Sequence, residues 1–294
     1  MRDLRMQFAG SKALFRLLAL NIGFFLIYSI IRTLFFLSSG PQDTIQYFVL
    51  QLSLPALPQQ LVVQPWSLLT YMFVHVDFLH LLFNMIVLFW TGKLFTEYLG
   101  NDKLWATYIL GGLSGAVLFI VSYLLFPVLR GAAVNSHLIG ASAGVIAVLA
   151  AIATLLPDYT VFLLIFGAVR LKYIAIASFI LYFISIPVGN AGGHIAHIGG
   201  ALFGFVFVRQ LRNGRDLTAW PVRFANMLFS RRRTMKVVHK GPDSAARNHA
   251  GKLVSQEMID QILDKINKSG FDSLTRQEKE ILYRASEKPG SKKS

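Results

Sequence analysis

The chain has 294 residues and a formal net charge of +14, with 54% hydrophobic residues, 15% charged residues and a mean hydropathy of +0.52. A soluble domain of this size needs more polar surface than that, so the surplus apolar surface is expected to face lipid. With no cysteine, the chain has no disulfide framework, no thiolate nucleophile and no cysteine metal site.

A spanning helix takes about 20 mostly apolar residues to cross a hydrocarbon core of about 30 Å. Six such segments are predicted. The first covers residues 17–31 and extends more weakly past Arg32 to Leu37. No small-residue cleavage site follows it, so the basic start (residues 1–16, with Arg2, Arg5, Lys12 and Arg16) reads as a cytoplasmic N-terminus before an uncleaved helix. A long connection over residues 38–75 then carries Asp43 as its single charge. It mixes an apolar run at residues 47–50 with Pro55, Pro58 and Pro65, then Trp66 and Tyr71, which suits headgroup depth.

The second and third segments cover residues 78–91 and 104–126, the fourth residues 138–156, the fifth 173–188 and the sixth 193–208. Residues 161–169 are apolar but too short to span and are expected at the cytoplasmic interface. Alternation of six helices puts Lys93, Lys103, Arg170, Lys172, Arg209, Arg212 and Arg215 on the side of the N-terminus, with only Arg32 and Arg130 opposite. The positive-inside rule therefore predicts that both termini are cytoplasmic.

From Arg209 onward the chain holds 19 Lys and Arg against nine Asp and Glu, ten of the fourteen net charges. Because this excess follows the last apolar segment, anionic lipid is the expected neighbour and nucleic acid is not expected. Residues 212–250 read as a basic linker broken by Pro221, Gly241 and Pro242, with Arg231, Arg232 and Arg233 at its centre. Residues 251–288 read as a helical hairpin: Leu253, Met258, Ile259, Ile262, Leu263 and Ile266 recur at helical spacing before Gly270 breaks the helix. Thr275 and Glu278 then form a capping box for a second helix. The hairpin is expected to dock on a partner or on the membrane domain.

Polar groups at membrane depth are costly, so each asks for an explanation. Ser142 lies within Gly140-Ala-Ser-Ala-Gly144, where small residues allow close helix approach. The run also reads as a packing motif whose serine bonds its own backbone. His197 lies on a face of the sixth segment with Gly193, Gly200 and Gly204, and His194 stands three residues earlier, nearer water. Ser142 and His197 fall at similar depth in the outer part of their helices. His80 and Asn84, at i and i+4, share a face and could donate into one cavity as an oxyanion hole, or bond between helices. His75 and Asp77, just before that helix, read as loop or water-facing cavity groups.

The order His-x-x-x-Asn, Gly-x-Ser and Ala-His-x-Gly-Gly resembles the rhomboid intramembrane serine proteases, over about residues 17–211. The resemblance implies an all-α polytopic bundle of six transmembrane helices with a small helical tail, in the cell inner membrane. It implies Ser142 as nucleophile, His197 as base, and oxyanion donors from His80, Asn84 and the Ser142 backbone N–H. Trp66, Thr70, Gly92 and Glu97 also look like family positions. The tail over residues 259–286 resembles a C-terminal extension of bacterial rhomboids, especially from Bacteroidetes.

Two positions depart from the family pattern. Ala143 stands where a glycine usually follows the serine, and Ile146 stands where an aromatic commonly packs on the histidine ring. The expected function is endopeptidase cleavage of transmembrane protein substrates by a Ser-His dyad, since segments two to six contain no Asp or Glu. The competing class is an inactive relative that binds or chaperones membrane clients, against which the presence of both Ser142 and His197 argues. A metal site built on His75, His80, His194 and His197 would lack both a His-Glu-x-x-His pattern and a buried carboxylate, so no cofactor is expected.

Overall fold

Helices dominate the computed structural model, which describes residues 11–163, 166–229 and 256–286. Arg2 and Arg5, the Arg231–Arg233 cluster and Leu253 lie outside the described residues. The chain divides into two units, Met1–Arg231 and Arg232–Ser294.

Six apolar helices build the first unit: α1 (Lys12–Leu37), α2 (Phe78–Leu99), α3 (Asn101–Leu125), α4 (Ser142–Leu155), α5 (Leu171–Ser185) and α6 (Ala191–Arg212). Four of them, α1, α2, α3 and α6, are long and apolar enough to cross a membrane. The other two have 14 and 15 residues. A 14-residue helix is about 21 Å long, well short of a bilayer core. For α4 the shortness is explained by its surroundings, since every residue from Ala143 to Ala153 is buried. Its ends meet protein, and irregular backbone at membrane depth is tolerated where protein covers it.

That burial corrects the expected start of the fourth segment. Residues 138–141 are not helical: β2 (His137–Leu138) pairs antiparallel with β1 (Leu54–Pro55), and Gly140 takes φ +112°, a conformation open to glycine. An apolar run that crosses from strand to helix shows no break in hydropathy.

The connection between α1 and α2 is folded rather than merely interfacial. A helix at Gln42–Leu52 is tied to a one-turn helix at Ser67–Thr70 through Trp66 Nε1 donating to Gln51 O (2.8 Å) and Thr70 Oγ1 donating to Leu52 O (2.8 Å). Tyr47, Phe48 and Trp66 are exposed, as rings at an interface should be. Tyr71 is not: it is fully buried and donates to Gly112 O of α3 at 2.7 Å, while Tyr108 donates back to Met72 O at 2.9 Å. These two phenols fix the connection on α3, and Asn21 of α1 donates to Tyr108 from the other side.

The stretch expected at the interface holds two paired strands, β3 (Thr160–Leu163) antiparallel to β4 (Gly167–Arg170), with Phe162 and Phe166 exposed. Asp158 at its base accepts from Lys172 at 2.7 Å and Arg170 at 3.2 Å, which hold its carboxyl below the usual range, Lys172 most of all. The stretch expected to be a linker begins with another helix, α7 (Ala219–Phe229), in which Pro221 occupies the first turn, where a missing N–H costs nothing. Asp216 ahead of α7 pairs with Lys103 in the first turn of α3 and accepts from Thr218 N at 2.9 Å.

Among the described residues, the second unit holds α8 (Gln256–Ser269) and α9 (Arg276–Ser286), with Gly270 at φ +78° between them. Ile262 and Leu274 are buried inside it. The capping box forms: Thr275 N donates to Glu278 Oε2 at 2.7 Å, and Glu278 N donates to Thr275 Oγ1 at 3.4 Å. Lys265 of α8 reaches Glu278 at 2.9 Å and links the two helices.

Candidate active site

Small residues set the geometry of the site. Helices α3, α4 and α6 meet at backbone contact, because a methyl group at Gly200 would overlap the Ala143 carbonyl oxygen and one at Gly204 would overlap that of Ala147. On α3, a methyl at Gly115 would lie 2.7 Å from Ala143 Cβ and 2.8 Å from Ala196 O. The α4–α6 spacing is thereby fixed within one turn of both polar residues. In lipid, such contact replaces the hydrophobic drive that water would give.

Across this seam His197 Nε2 and Ser142 Oγ stand 2.6 Å apart. His194, one turn earlier on α6, makes no bond to Ser142; its ring centroid lies 6.0 Å from that of His197. Ser142 is the first residue of α4, so its N–H has no acceptor within the helix. Among the described residues, neither His197 Nδ1 nor His194 Nδ1 has a hydrogen-bond partner.

Gly140, two residues before the serine, donates its N–H to Tyr71 O at 2.9 Å. The His80 ring covers it so closely that a Cβ there would lie 2.7 Å from His80 Cε1. Asn84 is buried on α2, and its Nδ2 lies 3.2 Å from His75 Nε2. His75 is itself buried, which corrects the water-facing reading of that residue. Its Nε2 accepts from the Ala141 backbone N–H at 3.3 Å. A backbone N–H can only donate, so Nε2 carries the lone pair and Nδ1 carries the proton, facing Phe73 O at 3.4 Å. Neutral His75 thus joins the Asn84 amide to the backbone just ahead of Ser142. Asp77 caps α2 by accepting from His80 N at 2.8 Å.

Both departures from the family pattern have partners in space. Ala143 is accommodated because Gly115 faces it. Ile146 leaves the imidazole without an aromatic from α4, and Tyr182 of α5 supplies one, its ring centroid 4.3 Å from that of His197 at an interplanar angle of 60°. Neither His75 nor Tyr182 carries a motif. Tyr182 is a lone tyrosine among apolar neighbours, and only its distance to His197 marks it.

Comparison with known proteins agrees with this arrangement at the level of family. A model described as the Rhomboid domain matches residues 63–213, and a second, described as a family of unknown function (DUF6576), matches residues 247–288. A relative, the mitochondrial rhomboid-like protein 14 of Arabidopsis thaliana, is 31% identical over 180 residues, 55% of this chain and 52% of the relative. The chain thus spans about half the length of that curated relative.

Proposed function

This chain belongs to the rhomboid family, and from that premise we propose that it is an intramembrane serine endopeptidase working through a Ser142–His197 dyad on transmembrane protein substrates. The observation that carries the reading is the 2.6 Å contact between Ser142 Oγ and His197 Nε2 across a seam of small residues. Serine is a weak nucleophile until an adjacent base takes its proton. His197 Nε2 takes that proton as Oγ attacks the peptide carbonyl carbon, and the imidazolium then gives it to the departing amine. Water hydrolyses the resulting acyl-enzyme, with His197 again as base.

The oxyanion of the tetrahedral intermediate is assigned to the Ser142 N–H, Asn84 Nδ2 and the His80 ring. Preorganised donors of this kind stabilise developing charge most strongly where water is excluded. His75 holds Asn84 and the Ala141 backbone, and Tyr182 holds the His197 ring, in place of the acid of a triad. In this reading all six helices cross the cell inner membrane, both termini are cytoplasmic, and Ser142 opens toward the external side from which water reaches it.

Cleavage of a transmembrane reporter substrate in liposomes tests the dyad. His197→Ala should abolish product while His194→Ala keeps a measurable part, because only His197 reaches Ser142. The reverse ranking would reject the assignment.

A further inference from the structure

We propose that a groove between α4, α5 and α6, at the end of the bundle remote from Ser142, is a binding site for one anionic phospholipid. The site lies apart from the dyad and does not depend on proteolysis. The groove has a volume of about 440 Å³. Ala150 and Ala153 of α4, Ala175, Ile176 and Phe179 of α5, and Leu202 of α6 line its apolar length. Alanines on two facing helices leave the hollow, and it opens toward lipid, since Ile176 and Leu202 are each about half exposed.

One end of this apolar channel is cationic. Lys172 at the start of α5 and Arg209 and Arg212 at the end of α6 line the mouth, and among the described residues no carboxylate lines the groove. The charges are not equally committed. Arg212 donates to Thr154 O at 2.9 Å and Leu155 O at 3.2 Å, satisfying carbonyls left over at the C-terminus of α4. Lys172 pairs with Asp158, which is largely exposed just outside the mouth and is shared with Arg170. Arg209 makes no ion pair among the described residues, so it is the cation most ready for a new anion.

An occupant must therefore be apolar along most of its length and carry a negative charge at one end. An acyl chain lying on the alanines with its phosphate between Arg209 and Lys172 meets both demands. A zwitterionic phosphatidylcholine presents the same chain, but its own choline cation opposes the mouth. Basic pockets between helices bind anionic headgroups, and a Lys or Arg near an anionic membrane surface is worth about 1 kcal/mol, a factor of about five each.

The test uses the full chain, purified in detergent, with bound lipid counted by native mass spectrometry and the melting temperature followed as lipid is added. Dioleoyl phosphatidylglycerol should bind at one site and raise the melting temperature, and dioleoyl phosphatidylcholine should do so at least tenfold more weakly. Arg209→Gln with Lys172→Gln should weaken phosphatidylglycerol binding roughly ten- to thirtyfold, while Lys93→Gln, an exposed cation off the groove, should leave it unchanged. Ala175→Phe keeps every charge but fills the channel and should also weaken binding. Glycerol phosphate, the headgroup alone, should not compete. Equal binding of the two lipids by the wild type overturns the proposal whatever the variants do. So does unchanged binding in the charge pair or in Ala175→Phe, or full competition by glycerol phosphate.

Discussion

His197 has no hydrogen-bonded acid behind it among the described residues, so beyond its contact with Ser142 the orientation of its ring falls to packing, and Tyr182 is the aromatic side chain against it. Aromatic pairs contribute roughly 0.5–1.5 kcal/mol beyond area burial. Tyr182→Ala should therefore lower kcat by up to about tenfold with little change in KM, and slow labelling of Ser142 in proportion. Tyr182→Phe, which keeps the ring, should restore both. A KM effect without a kcat effect would make Tyr182 a substrate contact instead. Asn84→Ala removes an assigned oxyanion donor and should cost roughly 3–4 kcal/mol, about a hundredfold or more in kcat. A melting temperature measured beside the rate separates that loss from simple loosening of α2. Ser142 and His197 were legible in the sequence because each is a polar residue set among glycines. His75 was not, since its work is done on Ala141, 66 residues away, and no spacing rule reaches that far.

Helices α4 and α6 bring Ser142 and His197 within 2.6 Å at a place where Gly200 carries no side chain. Gly200→Ala would drive a methyl into the Ala143 carbonyl, and overpacking of this kind costs roughly 1–3 kcal/mol. A lower melting temperature together with loss of cleavage is expected, and unchanged activity would mean that the seam does not set the 2.6 Å contact. In the tail hairpin, the Thr275 N–H beside Glu278, then Lys265, holds its carboxyl at about 2. A depressed carboxylate pKa stabilises the fold above the unfolded value near 4.3 and loses that contribution as pH falls through the folded one. The hairpin should thus weaken between about pH 4.3 and pH 2, and a carbon-13 NMR titration of Glu278 in the full chain should give a midpoint near 2. An ordinary midpoint would mean that the capping box is not held in solution. This box was readable from Thr275 and Glu278 because its chemistry is local. The true start of α4 was not, because Leu138 is as apolar in a strand as in a helix.

For the molecule as a whole, the positive-inside pattern and the groove cations share one side in the six-span reading. Reporter fusions after Lys12 and after Arg215 should both report a cytoplasmic position; an external signal from either rejects that topology. A chain ending after residue 231 keeps α7 and the Asp216–Lys103 pair and should cleave substrate like the full chain. Loss of all activity with the first unit still folded would give the tail a direct part in the chemistry. The bundle was legible as six apolar segments, yet two of its helices are too short to span by length alone: protein surrounds α4, whereas α5 buries Leu171 and leaves its other side chains partly or fully exposed. The most direct test of the account is labelling of the purified protein with a fluorophosphonate, read by intact mass and peptide mapping. One adduct is expected, on Ser142, lost in Ser142→Ala and strongly slowed in His197→Ala. An adduct that persists in Ser142→Ala, or a wild-type protein that stays unlabelled while folded, would contradict it.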